Sequence, residues 1–323
     1  MEEFPNSICI VISSHISNPK RIKYLIECLD SLTNQTVPIS IYLSISIENE
    51  LLKEELLSIL KTKNAEYNKL ILRIRDVKTQ QMRHIYLLLP ELLQKHKWVM
   101  FCDDDDTYDS TRVEKIMKNI YMGDYECNAI HNKKLAGLYE STFGKDHREH
   151  RHEYWCYCVS VEVLKTFYNK IENYPDIIDN KCCDVLFAEH LRRLTPDQYL
   201  FCRLEEKLYN YRVEDNSDSI TGFIKGNQHK YTRLNNPPSI MDPTFSEYVV
   251  DWNEYLYENI EIYIHDVFLR TIVGCDLDYI LRAEFRADYE LLRFVDNCHV
   301  IKIKEKHEYW RGICNNLFDI PFA

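Results

Sequence analysis

Over the first hundred residues, short apolar runs alternate with amphipathic stretches. Ser7 to Ser14 (SICIVISS) is rich in β-branched residues and predicts a strand buried on both faces. Asn18 and Pro19 mark a turn and a helix start. Ile22, Leu25, Ile26, Leu29 and Leu32 then recur at helical spacing as far as Thr33. Ile39 to Ile47 predicts a second strand, Glu50 to Lys61 a second helix and Leu70 to Ile74 a third strand. Thr79 to Lys95 predicts a third helix, kinked or broken at Pro90. Trp98 to Cys102 (WVMFC) completes the series as a fourth strand. Strands alternating with helices predict a parallel sheet with helices on both faces. In such sheets ligands bind beyond the carboxyl ends of the strands.

Farther along, the pattern predicts a helix over Tyr108 to Lys118, a strand over Tyr154 to Val161 and helices over Glu162 to Lys170 and Asp184 to Leu194. Lys207 to Val213 reads as a last strand. Asp215 to Pro243 is polar and holds Gly222, Gly226, Pro237, Pro238 and Pro243, the composition of a linker or mobile loop. Phe245 to Arg270 and Tyr279 to Phe294 read as aromatic-rich helices, and His299 to Ile303 as one more strand. The expected organisation is an α/β domain over residues 1–224 and a mainly helical extension over 225–323.

Composition narrows the classes. Forty Lys and Arg against 51 Asp and Glu give a net charge of −11, which repels phosphate backbones and argues against nonspecific nucleic-acid binding. Seven glycines, against about 23 at average usage, leave little for Gly-rich phosphate cradles. Neither G-x-G-x-x-G nor G-x-x-x-x-G-K-[ST] occurs. Met1 to Ser14 lacks a basic start and a long apolar core, and no stretch has 18 apolar residues free of charge. A cytoplasmic chain with reduced thiols and no transmembrane segment is expected, despite 12 cysteines. His147, His150, His152 and Glu153 have zinc-ligand chemistry but not the H-E-x-x-H spacing, and read as a charged connector.

The sharpest signal is Asp103-Asp104-Asp105-Asp106, directly after the apolar WVMFC strand. Four adjacent carboxylates at a strand end repel one another unless something neutralises them. A hard divalent cation prefers carboxylate oxygen and takes substrate phosphates into its shell. The competing reading is a solvated acidic turn capping the next helix, with Asp109 and Ser110 as cap residues. The apolar strand leading into the run favours the metal.

Three segments resemble family 2 glycosyltransferases of the GT-A fold. WVMFCDDDDTYDSTRVEKI resembles their D-x-D segment, and VISSHISNPKRIKYLIECLDSLTNQT their first strand, nucleotide loop and first helix. LYNYRVEDNSDSIT resembles a segment after their last sheet strand. The resemblance spans about Ile8 to Thr221. It implies a Rossmann-like mixed sheet flanked by helices, with a helical C-terminal extension. It also implies a nucleoside-diphosphate-sugar donor, by family habit a UDP-sugar, and Mn²⁺ or Mg²⁺. The acceptor would be a glycan, a protein or a small molecule.

Carried over residue by residue, the resemblance makes Asp105 the metal ligand and puts Asp103 near the ribose or the metal's water shell. Asp104 or Asp106 takes over if the register slips by one. Ser13, Ser14 and His15 occupy the loop that meets the base. Ser44 and Ser46 stand at the second-strand end, where the family usually has an acid and the nearest one here is Glu48. Gln81, Arg83 and His84 match the helix facing the nucleotide. Asp184 matches the general base of inverting members, with Asp179 and Glu189 as fallbacks. Arg212 would pair with phosphate. Glu214 replaces a histidine that often helps hold the metal or the diphosphate. Tyr154 and Trp155 lie where the acceptor would approach. Two rival functions are a sugar nucleotidyltransferase, disfavoured by the glycine-free first loop, and a catalytically inactive nucleotide-sugar-binding or scaffold protein. The aromatic C-terminal helices, with Tyr255, Tyr257, Tyr263 and Phe268, also allow a homo-oligomer.

Overall fold

The structure is a computed structural model and describes residues 7–126, 133–140, 153–194, 198–212, 238–280 and 296–318. The chain divides into two compact units, Met1–Arg212 and Val213–Ala323. In the first, β1 (Ile8–Ile16), α1 (Pro19–Thr33), β2 (Ser40–Ile47), α2 (Glu50–Thr62), β3 (Leu70–Arg75), α3 (Gln81–Lys95) and β4 (Trp98–Asp103) follow one another as the periodicity predicts. Then come β5 (Thr107–Tyr108), α4 (Arg112–Glu126), β6 (Lys134–Glu140), β7 (Tyr157–Ser160) and α5 (Val161–Ile171). The unit closes with α6 (Pro175–Ile178), α7 (Cys183–Arg192), β8 (Tyr199–Leu204) and β9 (Tyr209–Asn210).

Seven strands form one mixed sheet in the order β3-β2-β1-β4-β7-β6-β8, flanked by helices. The pair β5-β9 stands apart from it. β1, β2, β3 and β4 run parallel, β7 runs against both β4 and β6, and β8 is parallel to β6. β1 and β4 lie inside the sheet. Ile8, Ile10, Ile12, Val99, Met100 and Phe101 are all but inaccessible to water. Burying side chains of this size contributes roughly 1.5–3 kcal/mol each, so these two strands anchor the unit.

Local chemistry sets the helix starts. Asn18 caps α1, its side chain accepting from the Arg21 N–H at 3.2 Å, and Pro19 fills the first helical position. Asn49 caps α2 in the same way. α3 runs through Pro90 without a break, so of the kink or break expected there the break does not occur. Pro90 is exposed and has no N–H to donate to the preceding turn.

Several other expectations are corrected. The helix expected from Tyr108 starts at Arg112, because Thr107 and Tyr108 pair with β9. Tyr154 to Cys156 is a short 3-10 turn, and the strand begins only at Tyr157. The strand expected over Lys207 to Val213 shrinks to the two residues of β9. β6 and β8 have no counterpart in the sequence reading.

The second unit contains α8 (Phe245–Ile272) and α9 (Asn297–Phe318). Its core includes Trp252, Val267 and Phe268, and the Phe268 and Trp310 rings lie 4.8 Å apart. After α8 the chain reverses at Gly274, whose φ of 90° only glycine adopts without strain. His299 to Ile303 is helical, not a strand. Glu214, His147, His150, His152 and most of the Asp215 to Pro243 and Tyr279 to Phe294 segments lie outside the described residues. Among the described residues no helix is long and apolar enough to cross a membrane, and every described cysteine is a free thiol.

Candidate active site

From β1 the chain builds outward to β2 and β3, then returns to place β4 on the other side of β1. Where a sheet changes its direction of growth in this way, the carboxyl ends of the two strands open a crevice. Ser13 and Asp103 are register partners across that point. The acidic run begins there.

The four carboxylates have different surroundings. Asp106 is buried and faces back into the protein, accepting from the Tyr209 hydroxyl and the Arg212 N–H, both at 2.7 Å. Burial pushes its pKa up to about 7. Asp104, also buried, accepts from Ser14 Oγ at 2.5 Å and from the Arg21 guanidinium. Asp105 accepts from Arg21 Nη1 at 3.0 Å. Asp103 accepts from Gln81 Nε2 at 2.7 Å and from the Tyr154 hydroxyl, while its N–H donates to the Tyr209 hydroxyl at 3.0 Å.

Burial, then repulsion from Asp106, holds the Asp103 carboxyl well above the usual carboxylate range. Asp105 and Asp184 add smaller repulsions. Both partners of the Arg21–Asp104 pair shift upward, which favours the charged form of the first and the neutral form of the second. Burial works against the Arg21 charge, yet Asp104 and Asp105 beside it outweigh that and raise its pKa. Asp104 is nevertheless pushed up to about 6, because its loss of water outweighs the guanidinium. The run therefore has a protein cation of its own, which the sequence reading did not find.

Behind the turn lies a second buried ion pair. Arg112 donates to Glu140 at 2.7 Å with both side chains fully buried. The Arg112 guanidinium also lies 4.0 Å from the Tyr108 ring centre and 5.1 Å from that of Tyr209. The other Glu140 oxygen accepts from the Leu208 and Tyr209 N–H groups. Glu140 thus fixes the backbone from which Tyr209 reaches Asp106 and Asp103. Arg212 completes the bracket. Its Nε donates to the Asp105 carbonyl at 2.7 Å, its Nη2 pairs with Glu27 at 2.6 Å, and its guanidinium stacks on Tyr24.

At the end of β2 the polar residues form two hydrogen-bonded groups. Glu48 meets His15 Nε2 at 3.0 Å, and His15 Nδ1 meets Ser46 Oγ at 3.0 Å. Ser44 Oγ meets His84 Nδ1 at 2.9 Å and accepts from Arg75 Nε at 3.1 Å. Ser44 thus meets His84 and Arg75, a residue the sequence reading did not name, and Ser46 meets His15. Glu48 reaches the same cluster from just beyond the strand. Ser13 Oγ is buried without a protein partner.

Asp184 lies in the first turn of α7, with Cys182 in the capping position, so Asp184 does not cap this helix. Its charge adds a small upward push to the pKa values of Asp103 and Tyr154. The fallback carboxylates are otherwise engaged. Asp179 makes a two-point pair with Arg83, both bonds at 2.8 Å, and Glu189 pairs with Arg192 and Arg193. Arg83 is thereby directed to the turn after α6. Trp155 stacks on Tyr209 at 4.1 Å and on Tyr211 at 5.5 Å and is almost wholly buried, so little of its ring is open to an acceptor.

The donor chemistry fits a hard divalent cation, since every candidate ligand in the turn is a carboxylate. Among the described residues, no three donors of the acidic run have ligand atoms within 4.8 Å of one another. Asp296, Cys298 and His299 do, at the start of α9, where Asp296 caps the helix by accepting from the Cys298 N–H. The acidic run therefore lacks an all-protein cage, and suits a cation whose shell is completed by substrate oxygens.

No protein-family model matches the chain, and no curated protein matches it in sequence. Solved structures resemble it in shape. TarS of S. aureus is 13% identical with a TM-score of 0.47, over 97% of this chain and 54% of that one. TarS residues 1–349 in complex with UDP are 13% identical with a TM-score of 0.45, over 94% of this chain and 90% of that one. Mannosyltransferase PcManGT from Pyrobaculum calidifontis, in complex with GDP-Man and Mn²⁺, is 10% identical with a TM-score of 0.46, over 97% and 88%. This chain spans about half the length of whole TarS. At these identities and scores the likeness assigns no activity.

Arg21, Arg75, Tyr209 and the Arg112–Glu140 pair are the residues that sequence reasoning missed. A signal existed for Arg21. Four adjacent acids demand a cation, and a basic residue stood three positions after the Asn18 cap of the helix that follows β1.

Proposed function

We propose that this chain is a metal-dependent glycosyltransferase that moves a sugar from a nucleoside-diphosphate sugar to an acceptor hydroxyl with inversion. The observation that supports this reading is that the acidic run opens at Asp103, the register partner of Ser13 where β4 returns beside β1, with Asp184 near enough to raise the Asp103 pKa. A divalent cation held by Asp105, assisted by Asp103, would supply the positive charge that offsets the departing diphosphate. His15, Ser44, Ser46, Arg75 and His84 would receive the nucleoside at the ends of β1, β2 and β3. A UDP-sugar is the donor class that the sequence resemblance favours. Asp184 would accept the proton of the acceptor hydroxyl as that oxygen attacks the anomeric carbon. Gln81 and Tyr154 hold the Asp103 carboxylate in one orientation.

The test is nucleoside-diphosphate release over a panel of nucleotide sugars with a mixed acceptor pool, with and without Mn²⁺. Metal-dependent release with one donor is expected. Asp184→Asn should lower turnover by about 10²-fold or more while leaving donor affinity within a few-fold. Donor binding without release by the wild type would indicate a binding module instead. Equal loss of binding and turnover in Asp184→Asn would remove it as the base.

A further inference from the structure

The geometry points to Arg21 as an exchangeable counter-ion of the acidic turn, which competes with the divalent cation for Asp105; this inference rests on the metal reading above. Arg21 lies in the first turn of α1 and reaches across to β4, where Nη2 meets Asp104 Oδ1 and Nη1 meets Asp105 Oδ2 at 3.0 Å. Its side chain is 18% exposed, and those of Asp104 and Asp105 are 6% and 13% exposed. The pair thus sits largely out of water, where charge-assisted hydrogen bonds are strong.

The two carboxylates are not equivalent. Asp104 has Ser14 as well as Arg21 and lies deeper, so it is the permanent end of the fork. Asp105 is the end that a cation can take, and one of its two oxygens, Oδ2, already carries Arg21 Nη1. Binding of a metal at that oxygen displaces one guanidinium hydrogen bond. The metal therefore binds the free protein weakly, and binds well only when a diphosphate completes its shell. Arg21 keeps the turn neutralised in the meantime. The fork matters as well as the charge, because the ammonium of a lysine is a point charge that lacks the geometry to bridge both carboxylates.

Mn²⁺ affinity, followed by electron paramagnetic resonance of the free ion, tests this without reference to turnover. Wild type, Arg21→Gln and Arg21→Lys are titrated with and without UDP, and the melting temperature of each is recorded with rising Mn²⁺. Without nucleotide, Arg21→Gln is expected to bind Mn²⁺ about tenfold or more tighter than wild type. Arg21→Lys should fall between the two. Arg21→Gln should melt lower than wild type in the absence of metal and gain more from Mn²⁺. Equal or weaker Mn²⁺ binding in both variants overturns the inference while leaving the metal site standing. If Arg21→Gln does not fold, Arg21→Lys decides by the same comparison. Absence of Mn²⁺ binding in every protein, even with UDP, overturns both the inference and the metal reading.

Discussion

Asp105 and Asp106 are neighbours with the same side chain and opposite employment. Asp106 accepts one hydrogen bond from β9 and one from the residues just after it and is almost inaccessible, whereas Asp105 faces Arg21. Their alanine variants should therefore fail in different ways. Asp106→Ala strands the Tyr209 hydroxyl and the Arg212 N–H, and is expected to lower unfolding free energy by about 2–4 kcal/mol, read from urea denaturation. Asp105→Ala should cost less, about 1–2 kcal/mol, since Arg21 keeps its bond to Asp104. It should nonetheless lower nucleoside-diphosphate release by about 10²–10³-fold. A stability loss in Asp105→Ala as large as that in Asp106→Ala would mean that both aspartates are structural. The sequence marked the run of four as chemical, but not which member faces inward, because that depends on where Tyr209 and Arg212 arrive from a hundred residues away.

Among the elements, the buried Arg112–Glu140 pair joins the start of α4 and the end of β6 to the backbone before β9. Removing one member leaves a charge without water or partner, so Glu140→Ala should cost about 3–5 kcal/mol by chemical denaturation. β1 to β4 were legible because buried parallel strands and amphipathic helices write different periods into the chain. β6 was not. Its Gly137 reads as a breaker, yet a Cβ there would lie 2.1 Å from the Cys158 carbonyl oxygen, so the strand needs glycine to approach β7. β8 pairs only with β6 at the sheet edge and is mostly half-buried, which blurs its alternation. His299 to Ile303 holds three β-branched residues in five, a composition that suits a strand. The longer helix shows instead in the spacing of buried Ile303, His307, Trp310 and Cys314.

For the whole molecule, stability should fall with acid for a reason separate from the acidic turn. Burial, aided by Arg75 and His15, pushes the His84 pKa down to about 4, and burial takes that of His190 to about 3. An unfolded histidine takes its proton near pH 6.5, so below that pH the unfolded chain holds protons that the folded one refuses. Stability is thus fully present above about pH 6.5 and is lost as pH falls toward the folded values. Between pH 7 and pH 5 each histidine should cost about 2 kcal/mol. Urea midpoints at those two pH values should lie closer together in His84→Gln than in wild type. An unchanged gap would mean that His84 titrates normally. The net charge of −11 carries the matching expectation that the intact chain does not retard duplex DNA at physiological salt.

The anchors of the acidic turn also set an order of events in time. Tyr209 and Arg212 are 103 and 106 residues downstream of Asp106. Closing so long a loop costs entropy before any contact rewards it. As the chain leaves the ribosome, β1 to β4 can pair while the turn between Asp103 and Asp106 still has no clasp. The part of the protein with the most chemistry is then the last to become rigid. Pulse-labelled hydrogen exchange during refolding should protect the amides of Ile10 and Met100 before those of Asp103 and Arg212.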